Sequence, residues 1–169
     1  EFVLNREKMI NGLEKEIIDY LVPLADKNLS DEEKHKVFVM MYSINDYERI
    51  GDHCENIIEL IQEIKDENSV FSKTAFDEYD KISSDVMKIV TDTTNAYKDN
   101  NLELAKNCIN IEEEVDILEE TYRRNHMDRI NRGICDTNAG VKFLDILSNF
   151  ERIADHSVNI ANYTLGKEL

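Results

Sequence analysis

Two pairs of carboxylates in this sequence share one spacing: Glu48 with Asp52, and Glu151 with Asp155. On a helix, residues four apart stack one turn apart on the same face. Exposed like charges so placed repel by roughly a few tenths of a kcal/mol. A cation held between them would offset that repulsion. Oxygen-only ligand sets suit hard ions, so the chemistry on offer is binding of iron, manganese, magnesium or calcium, with zinc less suited. Glu112 and Asp116 repeat the spacing, and Glu7 with Asn11 is a weaker version in which an amide replaces the second acid.

These pairs sit in an internal duplication. The run I-N-D-Y-E-R-I-G-D-H-C-E-N-I from Ile44 to Ile57 aligns with L-S-N-F-E-R-I-A-D-H-S-V-N-I from Leu147 to Ile160. Glu48, Arg49, Ile50, Asp52, His53, Asn56 and Ile57 recur as Glu151, Arg152, Ile153, Asp155, His156, Asn159 and Ile160. One helix earlier, Glu7, Ile10, Asn11 and Leu13 correspond to Glu112, Val115, Asp116 and Leu118. Amphipathic helices rarely agree by chance at so many polar positions. A plainer reading remains beside the metal one: in an acidic chain such pairs arise as solvated faces, and Arg49 and Arg152 can neutralise acids on an adjacent helix as ordinary salt bridges. His53 and His156 follow the acids directly, and a helical step of about 100° turns them off the acidic face, so they are expected to pack or to hydrogen-bond. No partner for His126 is evident. The ferritin-type Glu-x-x-His pattern fails, because Gly51 and Ala154 stand where histidine would be needed. No nucleophile motif is present, and the chain reads as non-catalytic.

Helices must position these groups, for there is a single proline and no alternating strand pattern. The first is expected over about Phe2–Ala25, with Leu4, Ile10, Leu13, Ile17, Ile18 and Leu21 as its apolar stripe and Pro23 kinking or ending it. Ser30 with Glu33 is a capping box opening a second helix to about Lys65. Thr74, with Asp77 three residues on, is expected to cap a third to about Lys98. A turn at Asp99–Asn101 leads to a fourth, stopped by Gly133, and Asp136 or Thr137 caps a fifth. Residues 1–66 then form a first repeat, 67–74 a linker and 75–169 a second repeat. The second repeat has three helices and the first only two, which implies that the chain begins inside the first copy.

A hydrophobic fraction of 41% supports a buried core. The net charge of −16 argues against nucleic acid, which is held mainly through Lys and Arg, and against an anionic membrane surface. Cys54, Cys108 and Cys135 are odd in number and lack C-x-x-C spacing, so neither a disulfide framework nor a zinc site follows.

The E-R-I-G-D-H and E-R-I-A-D-H segments, with A-x-x-C-I-x-x-E-x-x-V-D-I-L from Ala105 to Leu118, resemble the PhoU family of phosphate-uptake regulators. The resemblance implies an all-α fold of two antiparallel three-helix bundles side by side, the first lacking its first helix here. It implies metal binding at Glu48, Asp52, Glu151 and Asp155, extending to Glu112 and Asp116, and the echo of that pair in the first repeat adds Glu7 as a candidate ligand. It implies regulation of phosphate uptake or signalling by contact with a phosphate transporter or sensor, in the cytoplasm at the inner face of the plasma membrane. A related branch carries such a domain at the C-terminus of a sodium/phosphate cotransporter-like protein. The alternative is a helical scaffold or oligomerisation module, such as a homodimer, with no metal function.

Overall fold

Four of the five helices begin where a side chain takes up a backbone N–H that the first turn leaves unsatisfied. In the computed structural model, which describes residues 2–167, the elements are α1 (Phe2–Ala25), α2 (Asp31–Asp66), α3 (Lys73–Asp99), α4 (Leu102–Asn131) and α5 (Thr137–Thr164). Ser30 and Glu33 form the expected reciprocal box at α2, where the Glu33 carboxylate accepts from the Ser30 N–H at 2.8 Å. Asn101 caps α4 by accepting from the Leu104 N–H, and Asp136 caps α5 by accepting from the Ala139 N–H. The expected cap at Thr74 is corrected: α3 starts at Lys73, and Ser72 accepts the Ala75 N–H at 3.2 Å. Thr74 followed by Asp77 imitates a capping box, but Ser72 reaches the first turn sooner. Asn100 closes α3 in the left-handed region at φ 49°, where asparagine is tolerated.

The architecture is all-α. The second repeat is a complete three-helix bundle, in which α3, α4 and α5 pack on one another. From the first repeat α2 packs along α5, and α1 packs on α2. One apolar cluster runs through the molecule, from Ile50, Ile57 and Ile64 of α2 through Ile82 and Ile89 of α3 and Val115 of α4 to Phe143, Leu147 and Ile160 of α5. The α5 helix lies at its centre and buries residues on every turn from Ala139 to Ala161. By contrast, α1 uses its apolar stripe only in part. Leu21 is buried, yet Leu13 is 53% exposed. Among the described residues, no helix is long and apolar enough to cross a membrane.

Candidate metal centre

The duplicated acids line two seams, one in each repeat. In the second repeat, α4 presents Glu112 and Asp116 and α5 presents Asp155. One oxygen from each of these three carboxylates lies within 4.8 Å of the other two. Burial, with the charges of Asp116 and Asp155 beside it, pushes the Glu112 carboxyl up to about 7. Asp116 is raised by burial, then by Asp155 and Glu119. Glu151 stands outside this trio but shares its field, since burial and then Asp155 and Asp116 raise it as well. Such a group is electrostatically uncomfortable without a cation. Its donors are all carboxylate oxygens, the set that hard ions prefer.

The first repeat echoes this on the seam between α1 and α2. Burial raises the Glu48 carboxyl, and Asp52, Glu14 and Glu7 add to the shift while Arg49 opposes it. Glu7 is 7% exposed and accepts a hydrogen bond from the Asn11 amide. The Asn11 carbonyl oxygen is buried with no hydrogen-bond partner among the described residues. An orphaned amide oxygen beside carboxylates is a further hard-ion donor, so the residues present fit a cation here too. These acids do not converge as closely as the α4–α5 trio. The arginine expected to neutralise a neighbouring helix instead lies over its own: Arg49 is 3.8 Å from Glu48 and 3.7 Å from Asp52.

The histidines bind the repeats together. His53 donates through Nδ1 to Asn149 Oδ1 at 2.9 Å, and His156 donates through Nδ1 to Asp46 Oδ1 at 2.7 Å. Asn56 donates to the same Asn149 oxygen, and Asn159 to the same Asp46 oxygen. Asp46 and Asn149 occupy equivalent repeat positions, so the contact has approximate two-fold symmetry. The two imidazoles stack across it with centroids 5.7 Å apart. Burial is the main cause holding His53 below its ordinary value, and His156 contributes. Asp46 is 4% exposed and also accepts from the Tyr163 hydroxyl at 2.9 Å. Sequence reasoning missed Asp46 and Asn149, because they differ between the repeats. The available signal was spacing: each stands seven residues before a repeated histidine, two turns along the same face.

A second polar cluster lies within the α3–α4–α5 bundle. Glu78 of α3, 7% exposed, receives both terminal nitrogens of Arg129, at 3.0 and 2.5 Å. Arg129 also donates to Nδ1 of His126, which leaves the ring proton on Nε2. His126 therefore has partners in Arg129 and in the Phe143 ring, whose centroid lies 4.5 Å away.

The PhoU domain family matches this chain over residues 1–61 and again over 79–164. The phosphate-specific transport system accessory protein PhoU homolog of Clostridium acetobutylicum is 22% identical over 167 residues, spanning 98% of this chain and 75% of that protein. PhoU homolog 1 of Thermotoga maritima is 26% identical over 160 residues, 94% of this chain and 68% of that protein. In fold, the chain resembles crystal structures of PhoU from Pseudomonas aeruginosa (TM-score 0.88, 23% identity, 98% of this chain and 80% of that one). It also resembles the phosphate transport system regulatory protein PhoU from Streptococcus pneumoniae (TM-score 0.83, 22% identity, 100% of this chain and 80% of that one). With two matches that together take in most of the chain, each containing an E-R-I-x-D-H helix, the chain belongs to the PhoU family.

Proposed function

We propose that this chain is a non-catalytic regulatory element of phosphate transport whose acidic seams bind hard cations. The observation that carries the metal reading is the convergence of Glu112, Asp116 and Asp155 from two helices to within 4.8 Å. The relatives named as phosphate transport accessory proteins support the regulatory part. Contact with a phosphate transporter or a phosphate-sensing protein at the cytoplasmic membrane face follows from that role.

The ligands at the second repeat are Glu112, Asp116 and Asp155, with Glu151 at the edge. At the first repeat they are Glu48, Asp52 and Glu7. A bound iron, manganese, magnesium or calcium ion would supply positive charge between α4 and α5 and fix their relative position. The side chains are read as carrying out no bond-making step, since among the described residues no nucleophile is set against them.

Metal content, measured by mass spectrometry on protein purified without chelator, tests this reading. Wild type should carry at least one ion per chain, and the triple variant Glu112→Gln/Asp116→Asn/Asp155→Asn should lose it. Adding manganese or magnesium at about a hundredfold over the dissociation constant should stabilise wild type by about 2.7 kcal/mol, raising Tm by roughly 5–10 °C. Equal metal content in both proteins sinks the metal centre. For the regulatory role, phosphate uptake is measured in a bacterium lacking its own family member; failure of this chain to restore normal uptake counts against it.

A further inference from the structure

The two acidic seams follow one plan and differ at a position that bears on which cation each can hold. Glu7, Asn11, Glu48 and Asp52 in the first repeat stand where Glu112, Asp116, Glu151 and Asp155 stand in the second. Four acids in one seam thus correspond to three acids and an amide in the other. In the second repeat, Glu112 and Asp116 are like charges with oxygens within 4.8 Å of each other and of Asp155. That seam repels itself until a cation enters. In the first repeat the Asn11 amide donates to the Glu7 carboxylate, so the same pair attracts where its counterpart repels. Glu7, although buried, gains this partner without any ion.

Two further features lower the first seam's demand for positive charge. Arg49 lies 3.8 Å from Glu48 and 3.7 Å from Asp52 and already offsets part of their charge. Its counterpart Arg152 acts on Glu151, outside the converging trio. The Asn11 carbonyl oxygen is buried with no hydrogen-bond partner among the described residues, because the nitrogen end of the amide serves Glu7. Such an amide oxygen is an ordinary ligand for calcium, yet it adds no negative charge. A trivalent ion depends more heavily on anionic oxygens, since attraction scales with the product of the charges. Each seam is formed by two helices, α1 with α2 and α4 with α5, and the contrast lies in their own residues.

We propose, resting on the cation reading of both seams, that Asn11 is the residue that sets their specificity apart. The first seam holds divalent cations only, whereas the second also holds a trivalent one tightly.

Terbium(III), a hard trivalent ion, and manganese(II) are the probes. Each is dialysed to equilibrium against full-length chain stripped of metal, in about 0.15 M salt to screen the rest of the acidic surface. Bound ions are counted by mass spectrometry. At about 1 μM free terbium, a Kd-scale of roughly −8 kcal/mol, wild type should hold one ion per chain and Asn11→Asp two. Adding Glu48→Gln and Asp52→Asn to Asn11→Asp should return the count to one. Because the added attraction scales with the ion's charge, Asn11→Asp should tighten terbium at the first seam by about thirtyfold and manganese by about tenfold. The reverse change, Asp116→Asn, should weaken terbium at the second seam by about thirtyfold while circular dichroism stays unchanged. A terbium count unaltered by Asn11→Asp, with manganese still bound, would overturn the role of Asn11 and leave the cation reading standing. Wild type that binds neither ion would overturn the cation reading itself, and the role of Asn11 with it.

Discussion

A single carboxylate decides how firmly the two repeats are held at their shared face. Asp46 is almost wholly buried and accepts from His156, Asn159 and Tyr163. Replacing it with alanine leaves three donors without an acceptor, and an unmet buried polar group costs about 1–3 kcal/mol. Asp46→Ala should therefore destabilise by roughly 2–4 kcal/mol in urea unfolding. Asp46→Asn should cost about half as much, since it recreates the Asn149 arrangement already present on the other side of the axis. A loss for alanine no greater than for asparagine would show that the network contributes little. His126 supplies the acid sensitivity of the complete bundle. Burial, reinforced by Arg129 and opposed by Glu78, pushes its pKa down to about 4. Its folded value is thus below the ordinary value of about 6.5 for an unfolded chain. The unfolded state then takes up a proton that the folded state refuses. Stability is fully present above pH ~6.5 and is lost as pH falls toward ~4, by up to about 3 kcal/mol. Comparing unfolding of wild type and His126→Phe across that range isolates the effect. The gap between the two proteins should narrow on acidification, and a constant gap would refute it.

At the scale of the helix, most of the structure was legible because the starts of α2 to α5 carry side-chain caps and the apolar stripes keep the 3.6-residue period. Ser30 could be placed on that logic alone, and Asp136 as one of two candidates with Thr137, whereas Asn101 read only as part of a turn. Thr74 could not, because two candidate caps lay two residues apart and only the first reaches a free N–H. The acid pairs were legible for a different reason: duplication sets repeated polar residues apart from solvated ones. Which pairs converge was not legible, because the distance between α4 and α5 depends on core packing by Val115 and Ile153 rather than on spacing along either helix. Close approach between helices is likewise tertiary, and the glycines show its sign. A Cβ on Gly51 would lie 3.3 Å from the tip of the Ile10 side chain, which can shift, and the equivalent position already holds Ala154. A Cβ on Gly140 would lie 2.6 Å from Ile130 Cδ1 and 3.1 Å from the immobile His126 ring. Gly51→Ala should be neutral or stabilising by up to about 1 kcal/mol, from helix propensity. Gly140→Ala should destabilise by about 1–3 kcal/mol through overpacking. Thermal unfolding of the two variants distinguishes them, and a shift of the same sign in both would contradict the packing account.

Over the described residues, α1 is packed on one side only, and stability should follow that unevenness. The core cluster joins α2, α3, α4 and α5 without interruption, so those helices are expected to unfold together. The α1 helix stands apart: it packs on α2, contributes Leu21 and Glu7 as buried side chains, and leaves Met9, Leu13 and Tyr20 half or more exposed. A 24-residue helix with so little apolar burial gains little from tertiary contact, and helices depend on such contact more than on propensity. Local opening of α1 should therefore cost much less than global unfolding. Native-state hydrogen exchange reads this directly. Amides of Ile10 to Ile18 should exchange at least about tenfold faster than those of Phe143 to Ile160, and by a route insensitive to low urea. Equal protection in α1 and α5 would mean that α1 is already locked in place.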